Sequence, residues 1–162
     1  MLNAPSFDFQ PRLPEGALLL PFRRAHAMAM RHNEFQQIVI DHFPAYYDYL
    51  EAQAACGPAF TIIYRGVVQA CFGAVPLGPG NAEAWLLRDD RIGTYAVPTA
   101  RAAKLFFDRI GTALELRRCQ VTVNANFASA LRFAEWLGFE IEGVLRRFGV
   151  DGTDHYMMAR LY

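Results

Sequence analysis

The stretch Arg117–Phe139, RRCQVTVNANFASALRFAEWLGF, decides the fold that the sequence predicts. Its first half alternates side chains and contains the β-branched run Val-Thr-Val, which is typical of a strand. From Ala128 onward the apolar residues recur at helical spacing, with Leu131, Ala134 and Leu137 on one face. The sequence therefore predicts a strand that turns directly into a short helix.

The ends of that helix are marked by residues suited to capping. Asn126 is the candidate N-cap, because its short side chain accepts a hydrogen bond from a free amide of the first turn. Gly138 is the candidate stop, because glycine tolerates the left-handed conformation of a C-cap. Trp136, beside Leu137, is expected to be buried. Another strand is predicted to begin at Phe139.

The rest of the chain divides into further elements. A proline-containing arm over residues 1–16 has no periodicity, and its Phe7 and Phe9 are candidate anchors to the domain or to a partner. Asn33 is a candidate cap between two helices. The other predicted elements are a fully buried strand over 17–22, helices over 23–40 and 45–55, a hairpin over 60–75, a strand over 82–87, a helix over 99–116 and a hairpin over 139–162.

A strand, helix, strand unit makes a right-handed crossover between parallel neighbours. The strand over 82–87 is therefore expected beside the strand over 119–123, parallel to it and diverging at the carboxyl end.

The element order resembles the GNAT acyltransferase superfamily. The residues that match its carboxyl-terminal motif, in order, are Val121, Asn124 or Asn126, Ser129, Leu137, Gly138 and Phe139. The resemblance implies one α/β domain over 17–162, with a central mixed, mostly antiparallel sheet and helices on both faces. It also implies acetyl-coenzyme A as cosubstrate and a small-molecule or protein amine as acceptor.

A narrower resemblance is carried by the runs EAWLLRDD, RFAEWLGF and MRHNEFQQI. These are similar to the acetyltransferase-like proteins of tailed phages, among them internal virion proteins. The resemblance implies a phage or host protein partner and a place in the cytoplasm or in the virion.

Composition excludes several other classes. The chain has 162 residues, of which 53% are hydrophobic, so it fits one globular domain. Sixteen basic and sixteen acidic residues give a net charge of zero, which disfavours a nucleic-acid or membrane-surface partner. The three cysteines and four histidines lack metal-ligand spacing, so no metal is expected.

The coenzyme site departs from the family pattern. The segment RIGTYAVPTARAAK stands where the family carries Q/R-x-x-G-x-G/A, and it contains only Gly93. A helix beginning at Pro98 or Thr99 would still offer amides over 99–102 to a pyrophosphate, beside the cations Arg101 and Lys104. The alternative is a capped helix whose two cations are solvated. The resemblance implies that the coenzyme contacts Trp85, Leu86, Leu87, Thr99, Ala100, Arg101, Asn126 and Ser129.

For catalysis the candidate base is Glu83, near the start of the strand that borders the thioester in the family. The alternative is a surface carboxylate on an alternating strand. His155, with its neighbours Asp154 and Tyr156, either faces the acceptor or forms a polar edge. Ala134 stands where many family members have the tyrosine that protonates the leaving thiolate.

Two functions from different classes follow. The first is an N-acyltransferase that moves an acetyl group from acetyl-coenzyme A to an amine. The second is a phage-derived structural or interaction protein with the same fold and a degenerate, non-catalytic coenzyme site. A third alternative is a Cys71 or Cys119 nucleophile paired with a histidine, and no motif supports it.

Overall fold

The computed structural model describes residues 7–162. The strands and helices, in chain order, are β1 (Ala17–Pro21), α1 (Arg24–Met28), α2 (Glu34–His42), α3 (Tyr46–Cys56), β2 (Ala59–Tyr64), β3 (Val67–Gly78), β4 (Asn81–Arg88), α4 (Ala96–Ala113), β5 (Arg118–Asn124), α5 (Ala128–Trp136), β6 (Glu140–Leu145) and β7 (His155–Leu161). A short 3-10 turn, Gly93–Tyr95, leads directly into α4.

The strands form one seven-stranded sheet in the order β1-β2-β3-β4-β5-β7-β6. Within the described residues β4 and β5 pair in parallel, and the other neighbours pair antiparallel. Helix α4 makes the crossover that parallel neighbours require. The predicted α/β class, with a mixed and mostly antiparallel sheet, is confirmed, as is the parallel pairing of β4 with β5.

Helices cover both faces of this sheet. On one face α4 buries Ala102, Phe106 and Ile110 against residues of the central strands that include Phe72 and Met158. On the opposite face α1 and α3 pack over the second part of the core, which contains Ala27, Met30, Leu50, Cys71 and Leu87. The two clusters keep the central strands dry on both sides, which explains their long apolar runs.

The segment before β1 is held against the domain. Phe9 is buried, and its ring lies 5.6 Å from Phe106 and 5.2 Å from Phe60, measured between centroids. Phe7 stacks on Phe9 at 5.7 Å. Both aromatic residues therefore pack on the domain itself. Residues 1–6 of the predicted arm lie outside the described part of the chain.

Two predictions about the first strand and the fifth helix are wrong. The first strand is an edge strand rather than a fully buried one, because it pairs with β2 alone and leaves Leu18 57% exposed. Trp136 is 47% exposed, and its ring lies against Phe133 and under the ammonium group of Lys104. Since α5 turns about 100° per residue, burial of Leu137 places its predecessor toward the side of the helix.

The caps of α5 give a mixed result. Asn126 is not the N-cap, because Phe127 holds that position without a side-chain hydrogen bond. The side chain of Asn124 instead accepts a bond from the backbone amide of Asn126, at 2.9 Å. Gly138 does end the helix, with φ of 94° and the amide of Phe139 bonded back to the carbonyl of Ala134 at 3.0 Å.

Within residues 7–162, none of the helices combines the length and the hydrophobicity that crossing a membrane requires.

Candidate active site between two parting strands

The site begins where β4 and β5 separate. The two strands pair at only three positions, from Asn81 with Arg118 to Glu83 with Gln120. Beyond these, β4 continues to Arg88 alongside β3, and β5 continues to Asn124 alongside β7. Each strand keeps its other neighbour, so the sheet opens like a wedge between them.

The edge of β4 that faces this opening can be assigned from the hydrogen-bond register. The amide of Asp89 donates to the carbonyl of Gln69 on β3, and backbone groups alternate in direction along a strand. The backbone N–H and C=O groups of Trp85 and Leu87 therefore bond to β3, opposite Gly73 and Cys71.

The intervening residues Ala84 and Leu86 direct their N–H and C=O groups into the opening. Arg88 lies on the same edge. The side-chain amide of Gln36, oriented with its oxygen toward the Arg88 amide, pairs with both backbone groups of Arg88 at 3.2 and 3.3 Å. Polar backbone thus remains available at the centre of the opening, between Gln36 and the last pair with β5.

A cavity of about 520 Å³ occupies the opening and extends toward α2, α3 and the loop between β6 and β7. Its walls are mainly aromatic and aliphatic, with contributions from Phe43, Tyr46, Trp85, Val123 and Phe148 among others. Glu83 and Asp151 supply carboxylates, and no lysine or arginine of the described residues lines it. The volume lies within the range of about 300–1,000 Å³ that is usual for small-molecule sites.

Glu83 lies in the wall of this cavity, at the last position where β4 pairs with β5. Strand alternation places its side chain on the same face of the sheet as Trp85 and Leu87, toward α3. It is half-buried, and among residues 7–162 its carboxylate forms no ion pair. Burial, together with the nearby charge of Glu83, raises the pKa of Tyr49 on α3.

Three other residues of the same wall carry buried polar atoms that lack partners within the described chain. These atoms are Trp85 Nε1, Gln53 Oε1 and His155 Nδ1. Burial lowers the pKa of His155, and the charge of Asp151 opposes part of this shift. Buried polar groups in proteins are usually hydrogen-bonded. A wall with several unsatisfied groups is therefore typical of a site that completes its bonds with a ligand.

A second cavity of about 280 Å³ adjoins the first, beside α4 and α5. Its wall includes Arg88, Thr99, Ala100 and Ser129. The two cavities share the residues Gln36, Leu86, Phe127, Ala130 and Phe133. Together they form one groove that runs along the free edge of β4.

An aromatic stack crosses this groove. The rings of Phe35, on α2, and Phe127, just before α5, lie 4.2 Å apart between centroids and within 13° of parallel. Phe127 belongs to the walls of both cavities and Phe35 to the wall of the larger one. The stack therefore ties α2 to α5 at the junction between them.

The start of α4 differs from the prediction. The helix begins at Ala96 rather than at Pro98 or Thr99, so the amide of Thr99 is expected to bond to the carbonyl of Tyr95 inside the helix. The amides of Tyr95 and Ala96 donate to carbonyls of the preceding 3-10 turn, and Pro98 has none. Of the first-turn amides at most that of Val97 is left. The predicted cradle of amides over 99–102 is wrong.

The loop before α4 is held by its own carboxylate instead. Asp89 is fully buried and accepts bonds from the amides of Arg31 and Arg91, both at 2.8 Å. The guanidinium group of Arg91 adds two more bonds, at 2.9 and 2.8 Å. Burial alone would raise the pKa of Asp89, but these bonds outweigh it and hold the pKa at about 2.

The structure brings most of the predicted site residues to the groove. Glu83, Trp85, Leu86 and Leu87 line the larger cavity. Leu86, Thr99, Ala100 and Ser129 line the smaller one. Arg101 and Asn126 are exposed and line neither cavity.

The other candidates of the sequence divide. His155 lines the larger cavity, whereas Tyr156 packs against the core and Asp154 binds the amide of Arg147. Burial raises the pKa of Cys71 and of Cys119 to about 12, which removes the thiolate that a nucleophile needs. Among residues 7–162, no three histidine, cysteine or acidic side chains cluster closely enough to hold a metal ion.

Sequence reasoning missed Gln36, Gln53 and the Phe35–Phe127 stack. The apolar stripe of α2, which includes Phe35, Ile38 and Val39, indicated a buried face without indicating what that face covers. All three belong to the wall of the larger cavity.

Comparison of the sequence with known protein families and with curated proteins finds no match. Solved structures do match. The structure of a GNAT-family acetyltransferase from Bacillus anthracis superposes with a TM-score of 0.66 at 16% identity, covering 91% of this chain and 95% of that one. RimL, a ribosomal alpha-N-protein acetyltransferase in complex with coenzyme A, gives 0.67 at 12% identity, covering 93% and 96%.

This chain has the GNAT acetyltransferase fold. A spermidine N-acetyltransferase chimera from Vibrio cholerae and hSSAT also shares it, with a TM-score of 0.65 at 15% identity over 91% of this chain and 96% of that one. The GNAT fold therefore extends over nearly all of the described residues. At this level of identity the similarity establishes the architecture alone.

Proposed function

We propose that the protein is an N-acetyltransferase that transfers an acetyl group from acetyl-coenzyme A to an amine. The observation that supports this most strongly is the position of Glu83. Its carboxylate, which forms no ion pair with the described residues, stands in the wall of a cavity at the point where β4 and β5 part, next to the free backbone edge of β4. A base can take the proton of the attacking amine, and a free strand edge can bind an extended, amide-containing thioester.

The groove fits the thioester and the pantetheine arm. An extended amide-containing arm along β4 would take the places of a neighbouring strand and bond to the backbone of Ala84 and Leu86. Trp85 and Leu87 would contact it through the cavity wall, since their backbone groups are used on β3. The apolar lining suits the methylene groups of the arm.

The phosphates find a different setting from the one that the family pattern implies. Because the start of α4 offers at most one free amide, side chains have to supply the remaining donors. Arg88 lines the smaller cavity together with Ser129 and Thr99, and Arg101 lies exposed on the first turns of α4. We therefore assign the phosphates to Arg88 and Arg101, with Ala100 and Asn126 beside them.

In the reaction, the carboxylate of Glu83 accepts a proton from the amine, which frees the lone pair of the nitrogen for attack. Acetyl-coenzyme A supplies the acetyl group: the nitrogen bonds to the carbonyl carbon, the carbon–sulfur bond breaks, and sulfur leaves as thiolate and takes the second proton of the nitrogen. Ala134 lines the cavity and has no hydroxyl group. The second proton therefore reaches the sulfur without a tyrosine at this position. The apolar walls exclude water and strengthen the electrostatic contacts of the site.

A second function is favoured by one observation, the shortage of free amides at the start of α4. A protein that kept this fold as an interaction module would retain the core and lose the anion site. The narrower resemblance to tailed-phage proteins, and a place in the cytoplasm or the virion, stay predictions, because the groove does not bear on them.

The two functions are separated by incubating the purified protein with acetyl-coenzyme A and a panel of amines while free thiol is measured. Thiol release that depends on an amine supports the acetyltransferase. Absence of thiol release with every amine, together with an unchanged melting temperature in coenzyme A, contradicts it.

A further inference from the structure

We infer that the acceptor is a monoamine carried on an aromatic or other apolar body, which enters the larger cavity from the side of α3 and the β6–β7 loop. The inference rests on the proposed function and names the substrate class of the same site. It is carried by the lining of the cavity, by the number of its carboxylates and by the residues around its entrance.

The wall on the side of α3 is aromatic. Phe43 contacts both Tyr46 and Tyr49, with ring centroids 6.2 and 5.7 Å apart, and Trp85 lies in the same wall. Because Trp85 shares the face of Glu83, a molecule placed against its ring has its amine near that carboxylate. Aromatic rings pack well on such a wall and also attract an ammonium group through their faces.

The entrance is apolar as well. Phe148 and Val150, in the loop between β6 and β7, are 55% and 47% exposed while belonging to the cavity wall. Apolar side chains left in water beside a cavity are typical of a surface that a ligand covers. A molecule that reaches from Trp85 to this loop would bury both.

The two carboxylates of the cavity differ in their surroundings. Glu83 forms no ion pair within residues 7–162, whereas the carboxylate of Asp151 accepts bonds from the amide and the hydroxyl of Thr153, at 3.2 and 2.7 Å. Burial lowers the pKa of His155, which also lines the cavity. A polyamine would have to desolvate its further ammonium groups against Phe148 and Val150, beside a single carboxylate, that of Asp151, whose Oδ1 is already bonded to Thr153. An acid of the same shape would meet the two carboxylates and be repelled.

The test uses Trp85 as the reporter. The chain has two tryptophans, and Trp136→Phe, at a residue outside the cavity, leaves Trp85 as the only one. In this background, without coenzyme A, tryptophan emission is titrated with 2-phenylethylamine, with phenylacetate and with spermidine. We expect a saturable change with 2-phenylethylamine, whose half-saturating concentration should be at least about tenfold lower than that of either other probe. A tenfold ratio corresponds to about 1.4 kcal/mol, which we attribute to the charge pair with Glu83.

The matched variant Glu83→Gln, in the same background, should bring the affinity for 2-phenylethylamine down to that for phenylacetate. Tighter binding of spermidine, equal binding of the amine and the acid, or no saturable change with any probe would overturn the inference. Coenzyme A titrated in parallel separates the two claims. If coenzyme A binds and 2-phenylethylamine does not, the inference fails alone; if only the amine binds, the amine site stands and the acetyltransferase fails.

Discussion

Glu83 and Gln120 are the last residues at which β4 and β5 pair, and beyond them the two strands part around the larger cavity. This relationship places a carboxylate at the apex of a wedge whose sides are strand edges. The proposed chemistry depends on that apex, and the following predictions test it and the structure around it.

Glu83→Gln keeps the shape of the side chain and removes the base. We expect kcat/KM for acetyl transfer to fall by about 10²–10⁴-fold, the usual contribution of general base catalysis, with an unchanged melting temperature. Glu135→Gln, on the exposed surface of α5, is the control and should be fully active. Full activity of Glu83→Gln would place the base elsewhere.

The assignment of the β4 edge is tested by proline substitutions at neighbouring positions. Leu86→Pro removes an N–H that faces the groove, so binding of coenzyme A should weaken by about two- to tenfold relative to Leu86→Ala, which keeps that N–H. Leu87→Pro removes a ladder bond to β3 and should destabilise the fold by about 1–3 kcal/mol, the usual cost of leaving a buried hydrogen-bonding group without its partner. Titration calorimetry and denaturant unfolding measure the two effects. Equal binding by the two Leu86 variants would refute the assignment.

Asp89 is predicted to stabilise the loop between β4 and α4. Asp89→Asn leaves the amides of Arg31 and Arg91 with a weaker acceptor and should cost about 2–3 kcal/mol in urea unfolding. Because the native pKa is held at about 2, below the ordinary value, the stabilisation is present above about pH 4 and is lost as the pH falls toward 2. In the variant, the free energy of unfolding should therefore fall less steeply between about pH 4 and pH 2. The same fall in the variant as in the wild type would contradict this.

His155 predicts a second pH dependence of stability. Burial lowers its pKa in the native state, so the unfolded chain binds more protons near pH 6. The free energy of unfolding should therefore fall as the pH drops from about 7 to 5, and His155→Gln should make this fall shallower. His26, whose pKa burial also lowers, keeps part of the slope in the variant. An unchanged slope in His155→Gln would show that the imidazole is not desolvated.

The topology could be predicted from the sequence because its signals are local and strong. The Val-Thr-Val strand and the helix phase of Leu131, Ala134 and Leu137 are regular periodic patterns. Once a helix is expected between two strands, the right-handed crossover makes the strands parallel neighbours. The position of Glu83 in the groove follows from these steps.

The errors have a different origin. Proline is tolerated throughout the first turn of a helix, so Pro98 marked the neighbourhood of the α4 start but not its first residue. The preceding Gly93–Tyr95 turn has no periodicity that a sequence could reveal. Asn124 and Asn126 are equally suited to cap a helix, and only the register of β5 against β7 decides that Asn124 closes the turn. Gln36 reaches Arg88 across the fold, and such contacts leave no sequence pattern.

The central claim, that the opening between β4 and β5 binds a pantetheine thioester, is tested most directly by titration calorimetry with coenzyme A, pantetheine and adenosine 3′,5′-bisphosphate. Because the strand edge is free and the start of α4 offers few amides, we predict that coenzyme A binds, that pantetheine competes for the same site, and that the nucleotide alone binds at least about tenfold more weakly than coenzyme A. At a hundred times its dissociation constant, coenzyme A should stabilise the fold by about 2.7 kcal/mol. No heat and no melting shift with millimolar coenzyme A, or binding of the nucleotide without pantetheine, would contradict the account.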